Sequence, residues 1–131
     1  MTRYINLNTH SNSSFGETVV TPYEIVEFAV KDSAKAIALT DLNSVQGFTE
    51  FSKAAEKYKE KGFKPIYGVQ IFGMDTEKSS VPRKITLLAK NHNGLKNIYK
   101  IMSMGYTKVV SDEEWPCISY EDIRNNREGV L

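Results

Sequence analysis

The chain has 131 residues, 40% hydrophobic and 25% charged, proportions of an ordinary globular protein that exclude a disordered or membrane-embedded class. A formal net charge of +1 argues against a self-sufficient nucleic-acid binder, which needs a concentrated basic surface to neutralise phosphates, so any DNA binding by this segment alone is expected to be weak and salt-sensitive. The single cysteine, Cys117, cannot form an internal disulfide and has no Cys or His neighbour at zinc-ligand spacing.

No apolar run approaches the roughly 20 residues of a membrane span. The opening residues alternate like a strand at once and leave no room for a signal peptide, so a cytoplasmic location and no membrane partner are expected. Arg3 to Leu7 reads as a first strand. Thr21-Pro22-Tyr23-Glu24 then supplies an N-cap, a proline at N1 and a glutamate at N3. These open a helix from about Pro22 to Asp32 whose apolar side holds Ile25, Val26, Phe28 and Ala29. Ala36 to Leu39 is a buried strand, and Ser44 is placed to cap a second helix carrying Phe48, Phe51, Ala54, Ala55 and Tyr58, with Gly62 as its stop.

Lys64 to Phe72 forms a third strand, and the polar stretch Gly73 to Arg83 reads as a surface loop or hairpin tip. Ile85 to Ala89 is a fourth strand. Asn91-His92-Asn93-Gly94 is turn chemistry, followed by a helical stripe of Leu95, Ile98, Tyr99, Ile101 and Met102. Ser119 caps a last short helix with acidic Asp122 at N3, and Gly129-Val130-Leu131 begins another strand. Strands alternating with helices predict βαβ units and an α/β fold with a parallel sheet or barrel. A closed barrel takes ~200 residues or more, so this chain is expected to be a portion of one, cut from something longer.

Polar residues cluster where strands end, which in α/β folds is where ligand and metal sites are built. His10 follows the first strand, Asp41 the second, and Gln70 closes the third. Asn8 sits two residues before His10 and would share its face in an extended backbone. Each has a plain structural alternative: His10 as a hydrogen-bonder, Asp41 as a turn or cap, Glu17 as a solvated carboxylate in a turn. The amides at Asn8 and Gln70 carry no charge to offset a cation, and Leu42 beside Asp41 is no ligand at all. The lysine sets at 96, 100 and 108 and at 53, 57, 59 and 61 read as solvated helix faces. His92 reads as a solvated turn residue and Trp115 as a packing anchor.

Taken together, Leu7-Asn8-Thr9-His10-Ser11, Ala36 to Asp41, Lys64 to Gln70 and Leu87 to Asn97 resemble the amino-terminal PHP (polymerase and histidinol phosphatase) domain of bacterial DNA polymerase III alpha subunits. The Leu-Ala-Lys-Asn and Gly-Leu-Lys-Asn block is similar to the polymerase branch, and the short Gly73-to-Ile85 spacing to the branch without an embedded exonuclease domain. Metal-competent members carry His-x-His, Thr-Asp-His and Gly-x-Glu motifs. By position, the resemblance places Asn8 and His10 in the first, Asp41 and Leu42 in the second, and Gln70 in the third, with Glu17 near a further acidic position.

The resemblance implies a partial PHP-type (β/α) barrel, with residues 1–131 as the leading portion of a single PHP domain. It implies a degenerate metal site in which only His10, Asp41 and Glu17 survive as vestigial ligands. The segment itself is then non-catalytic and structural or subunit-contacting, without a bound cofactor. The parent would be a DNA-directed DNA polymerase whose Mg²⁺-dependent nucleotidyl transfer lies in a later domain. Expected partners are the remainder of the polymerase chain, replisome subunits, DNA through the intact polymerase rather than this segment, and a homodimer in which Val130-Leu131 and the Ile85-to-Ala89 strand lie near the contact. The alternative is an active metal-dependent PHP phosphoesterase, a pyrophosphatase or 3′-5′ exonuclease.

Overall fold

The structure is a computed structural model that describes residues 4–14, 16–75, 81–108 and 115–131. Its first helix, α1 (Pro22–Lys31), opens with the capping box legible in the sequence: the Thr21 hydroxyl accepts from the Glu24 N–H, and the Glu24 carboxylate accepts from the Thr21 N–H at 2.8 Å. α1 buries Pro22, Ile25, Val26 and Ala29. Phe28, expected on the same side, is 65% exposed, because it lies about 100° round the helix from Ala29.

β1 (Ala36–Leu39) is buried along its whole length. The second helix, α2 (Phe48–Glu56), starts later than its expected cap: Gly47 is its N-cap and offers no side chain, while the Ser44 hydroxyl accepts from the Gln46 N–H inside the preceding turn. α1, α2 and β1 enclose a first core around Val26, Leu39 and Phe51. A single 3₁₀ turn (Lys59–Lys61) follows α2, and Gly62 closes it at φ 75°, a left-handed conformation open to glycine.

β2 (Lys64–Met74) and β3 (Arg83–Leu88) are both longer than the sequence suggests. Gly73 pairs with Arg83, so the loop expected over Gly73 to Arg83 shrinks to the residues between the strands, of which 76–80 lie outside those described. β2 pairs in parallel with β1, from Ala36 opposite Lys64 to Leu39 opposite Tyr67, and further along with β4 (Cys117–Ser119). β3 runs antiparallel to β2, the arrangement that a short direct connection permits and a helical crossover does not. β4, only three residues long, is too short to leave a periodic signal in the sequence.

The expected first strand is not formed as such. Among the described residues, 4–9 accept two backbone bonds, from the Ala38 N–H of β1 to Asn6 and from the Thr40 N–H just beyond it to Thr9, without becoming a regular strand. At the opposite edge, Leu131 exchanges both backbone hydrogen bonds with Leu88, and Val130 bridges to Ala89. The two segments expected at a contact between copies thus pair with each other within the chain.

The third helix, α3 (His92–Thr107), is capped by the Asn91 side chain, which accepts from the Gly94 N–H at 2.9 Å. The turn chemistry of Asn91 to Gly94 is therefore a helix start, and His92 is its exposed first residue. Ile98, Ile101 and Met102 pack on Val69, Ile71, Leu87 and Ile118 to form a second core. α4 (Tyr120–Asn125) begins at Ser119, whose hydroxyl caps the Asp122 N–H as expected. Cys117 is buried in β4. Among the described residues no helix is long and apolar enough to cross a membrane.

Candidate functional site

The carboxyl ends of β1 and of the 6–9 segment meet where the sequence places its polar residues. Thr40 and Asp41 continue β1 and are both fully buried. The Thr40 hydroxyl donates to Asn8 Oδ1 at 2.9 Å and accepts from the Thr9 N–H at 2.9 Å. Asn8 is thereby drawn into a backbone-pinning role. Its oxygen faces a hydroxyl donor rather than an open coordination space.

Asp41 is held more completely. Its Oδ1 accepts from the Ser11 N–H and from the Ser14 hydroxyl at 2.8 Å, and its Oδ2 accepts from the Ser11 hydroxyl at 2.7 Å. The Ser14 oxygen in turn accepts from the Leu42 N–H at 2.9 Å. A carboxylate in water-free surroundings demands such donors, and the 11–14 loop wraps around Asp41 to supply them. Behind it, the space is closed by Gly47: a Cβ there would lie 3.1 Å from Asp41 Oδ2 and 3.1 Å from Leu39.

Gln70 lies opposite Leu42 in a parallel bridge. Its N–H donates to the Asp41 carbonyl and its carbonyl accepts from the Asn43 N–H, while its side-chain amide donates to the Thr86 hydroxyl at 3.4 Å. Gly68, two residues before, is required by close approach: a Cβ would meet the Leu87 carbonyl at 2.5 Å.

His10 and Glu17 are brought together, the imidazole Nδ1 against the Glu17 carboxylate. The other Glu17 oxygen lies 3.3 Å from the Lys84 ammonium on β3. Partial burial pushes the Glu17 carboxyl up, but the charges and hydrogen bonds of His10 and Lys84 outweigh it and hold the group below its ordinary value. His10 Nε2 is enclosed and has no hydrogen-bond partner, and His10 is not among the residues that line the open cleft nearby. That cleft, about 920 Å³, lies between the 42–46 loop and α3 and is lined by Glu17, Leu42, Tyr99, Tyr106 and Trp115 among others.

The residues do not fit a metal cluster. Among those described, no three His, Cys, Asp or Glu side chains are gathered as a cation would require. Asp41 is committed to serine donors, and Glu17 is paired with Lys84 and with the His10 imidazole. Neither the loop serines nor Lys84 carries a sequence signal that assigns it to the site. Ser11 and Ser14 read as generic loop residues thirty and twenty-seven positions from Asp41, and Lys84 lies between the expected loop, which ends at Arg83, and the strand expected from Ile85.

The family pattern described as PHP domain matches residues 6–131. The chain is 36% identical over 99% of its length to the DNA polymerase III subunit alpha of Rickettsia bellii, and 31% identical over 98% to that of Borreliella burgdorferi. It spans only 11% and 12% of those proteins. In structure it resembles an amidohydrolase from Chromobacterium violaceum, with a TM-score of 0.54 at 21% identity over 76% of this chain and 34% of that one. A protein of Bifidobacterium adolescentis assigned as a metal-dependent phosphoesterase gives 0.52 at 22% identity, over 77% and 32%. These two likenesses concern the fold alone, whereas the pattern spanning 6–131 and the polymerase relatives concern descent: this chain belongs to the PHP domain family.

Proposed function

We propose that residues 1–131 are the leading portion of the PHP domain of a DNA polymerase III alpha subunit, and that in this protein the domain serves as a scaffold rather than as a metal-dependent hydrolase. The observation that carries the second part is Asp41. A ligand carboxylate keeps an oxygen aimed at open space, and both oxygens of Asp41 are turned to Ser11 and Ser14 in a fully buried pocket. Gln70 and Leu42 add no charge beside it.

On this reading nucleotidyl transfer belongs to a later domain that uses Mg²⁺, and the PHP segment supports that chain or contacts another replication subunit. The active-phosphoesterase reading needs several anionic or imidazole donors to hold cations, and among the described residues no three such side chains are gathered.

Metal analysis after loading with Zn²⁺ or Mn²⁺ and exhaustive dialysis into metal-free buffer tests the scaffold reading: well under one ion per chain is expected. Retention of more than one ion per chain overturns it. Reading the gene onward from the Leu131 codon tests the polymerase context, which a continuation with paired-aspartate polymerase motifs supports and a stop codon refutes.

A further inference from the structure

The net charge of the chain conceals a segregation. From Arg83 to Lys108, through β3 and the whole of α3, the basic residues are Arg83, Lys84, Lys90, Lys96, Lys100 and Lys108, with no Asp or Glu among them. The remainder of the chain is net negative. Two of these lysines are spent, Lys84 on Glu17 and Lys108 on Asp122 at 2.8 Å. Among the described residues Lys96 and Lys100 have no carboxylate partner, and both stand exposed one turn apart on α3.

The same helix lines the open cleft beside the site. Tyr99 is 42% exposed, Tyr106 is 64% exposed, and Trp115, which lines the same cleft, is 51% exposed. Trp115 stacks on Phe72 with planes 28° apart and centroids 6.2 Å apart, so its ring is braced from behind. The Tyr106 hydroxyl donates to the Asn43 carbonyl at 2.7 Å, which steadies that ring at the cleft wall. With about 100° per residue, Lys96 and Lys100 lie on the shoulder of α3 roughly a quarter turn from the Tyr99–Tyr106 line. Glu17, the acidic residue on the cleft wall, is already paired with Lys84 and His10.

We propose that this face of α3 and its cleft bind single-stranded nucleic acid, with bases on the Tyr106 and Trp115 rings and phosphates on Lys96 and Lys100. Charge selects a polyanion, and the rings select among polyanions. Unpaired bases offer π-faces to such rings, whereas a duplex keeps its bases stacked and would meet two lysines only. An acidic peptide would use the lysines and leave the rings unused. The inference stands on charge placement and ring exposure and does not depend on the scaffold reading of the metal site.

The test is fluorescence anisotropy of a labelled oligo(dT) of about twelve nucleotides titrated with the whole chain. A dissociation constant on the order of 10⁻⁵ M is expected at about 50 mM salt, with a log–log salt slope near −1.4 from about two phosphate contacts. The Lys96→Gln/Lys100→Gln variant should bring the slope close to zero. Tyr106→Ala should weaken binding roughly five- to a hundredfold at an unchanged slope, while Tyr106→Phe, which keeps the ring and loses the bond to Asn43, should bind as the parent does. No saturable signal at low salt overturns the proposal, as does a lysine variant with the parental slope. Poly-glutamate competing as well as unlabelled oligo(dT), with Tyr106→Ala unchanged, would show an acidic-protein dock instead.

Discussion

Replacing Asp41 by alanine separates a structural aspartate from a metal ligand by the sign of its effect. A ligand carboxylate held near other ligands for a cation's sake is a burden on the metal-free fold, so its removal is neutral or stabilising in chelator. Here the carboxylate satisfies three donors, the Ser11 N–H, the Ser11 hydroxyl and the Ser14 hydroxyl, in a site with no solvent access. Hydrogen bonds to a charged group contribute about 1.5–3 kcal/mol each, and a buried donor left unpaired costs about 1–3 kcal/mol. The three are coupled through one loop and do not add fully, and the hydroxyls can rotate toward each other. A loss of about 3–5 kcal/mol is therefore expected, or a fall in unfolding midpoint of roughly 10 °C or more for a domain of this size.

Asp41→Asn keeps the shape and one acceptor, and should lose about 1–2 kcal/mol, the charge-assisted part alone. Urea unfolding followed by circular dichroism, in EDTA, measures all of these. Ser14→Ala should lose about 1–2 kcal/mol in the parent and much less in the Asp41→Ala background. An Asp41→Ala protein as stable as the parent in EDTA would refute the argument. So would a parent that itself loses several kcal/mol when EDTA is added.

Gly94→Ala should destabilise by about 2 kcal/mol or more, against the gain of about 1 kcal/mol that a helical glycine ordinarily gives on becoming alanine, because a Cβ there would overlap the Gly129 carbonyl; a rise in urea midpoint would contradict this packing. Asp122 is held below its ordinary 3.8 by hydrogen bonds from Lys108 and Ser119, and Glu24 below its ordinary 4.5 by the backbone and side chain of Thr21. A depressed carboxyl stabilises the fold above its unfolded value and loses that contribution as the pH falls through the folded one. Stability is thus expected to be flat from neutrality to about pH 4.5 and to decline below it, and Asp122→Asn should show a shallower decline between pH 4 and about pH 2 in the same unfolding series.

Local chemistry carried much of this fold in the sequence. The Thr21-to-Glu24 box, the Ser119 cap, the buried run Ala36 to Leu39 and the stripe through Ile98, Ile101 and Met102 all depend on contacts within a few residues or on a single period, and each stands where those patterns put it. That Asn8, Leu42 and Gln70 bring neither a charge nor an imidazole is likewise legible, being a property of each residue alone. What required the tertiary structure was every relation across distance. Gly73 joins a strand because Arg83 lies opposite it, and β3 is antiparallel because its connection is short. The Asn91 cap of α3 is local, but the close approach of Gly129 to Gly94 is set by the tertiary structure alone. Asp41 has its hydrogen-bond donors because Ser11 and Ser14 fold back onto it, and the lysines of α3 form a face because a helix lines them up beside an aromatic cleft. A linear pattern records what a residue can offer, and only the folded chain decides which partner takes it.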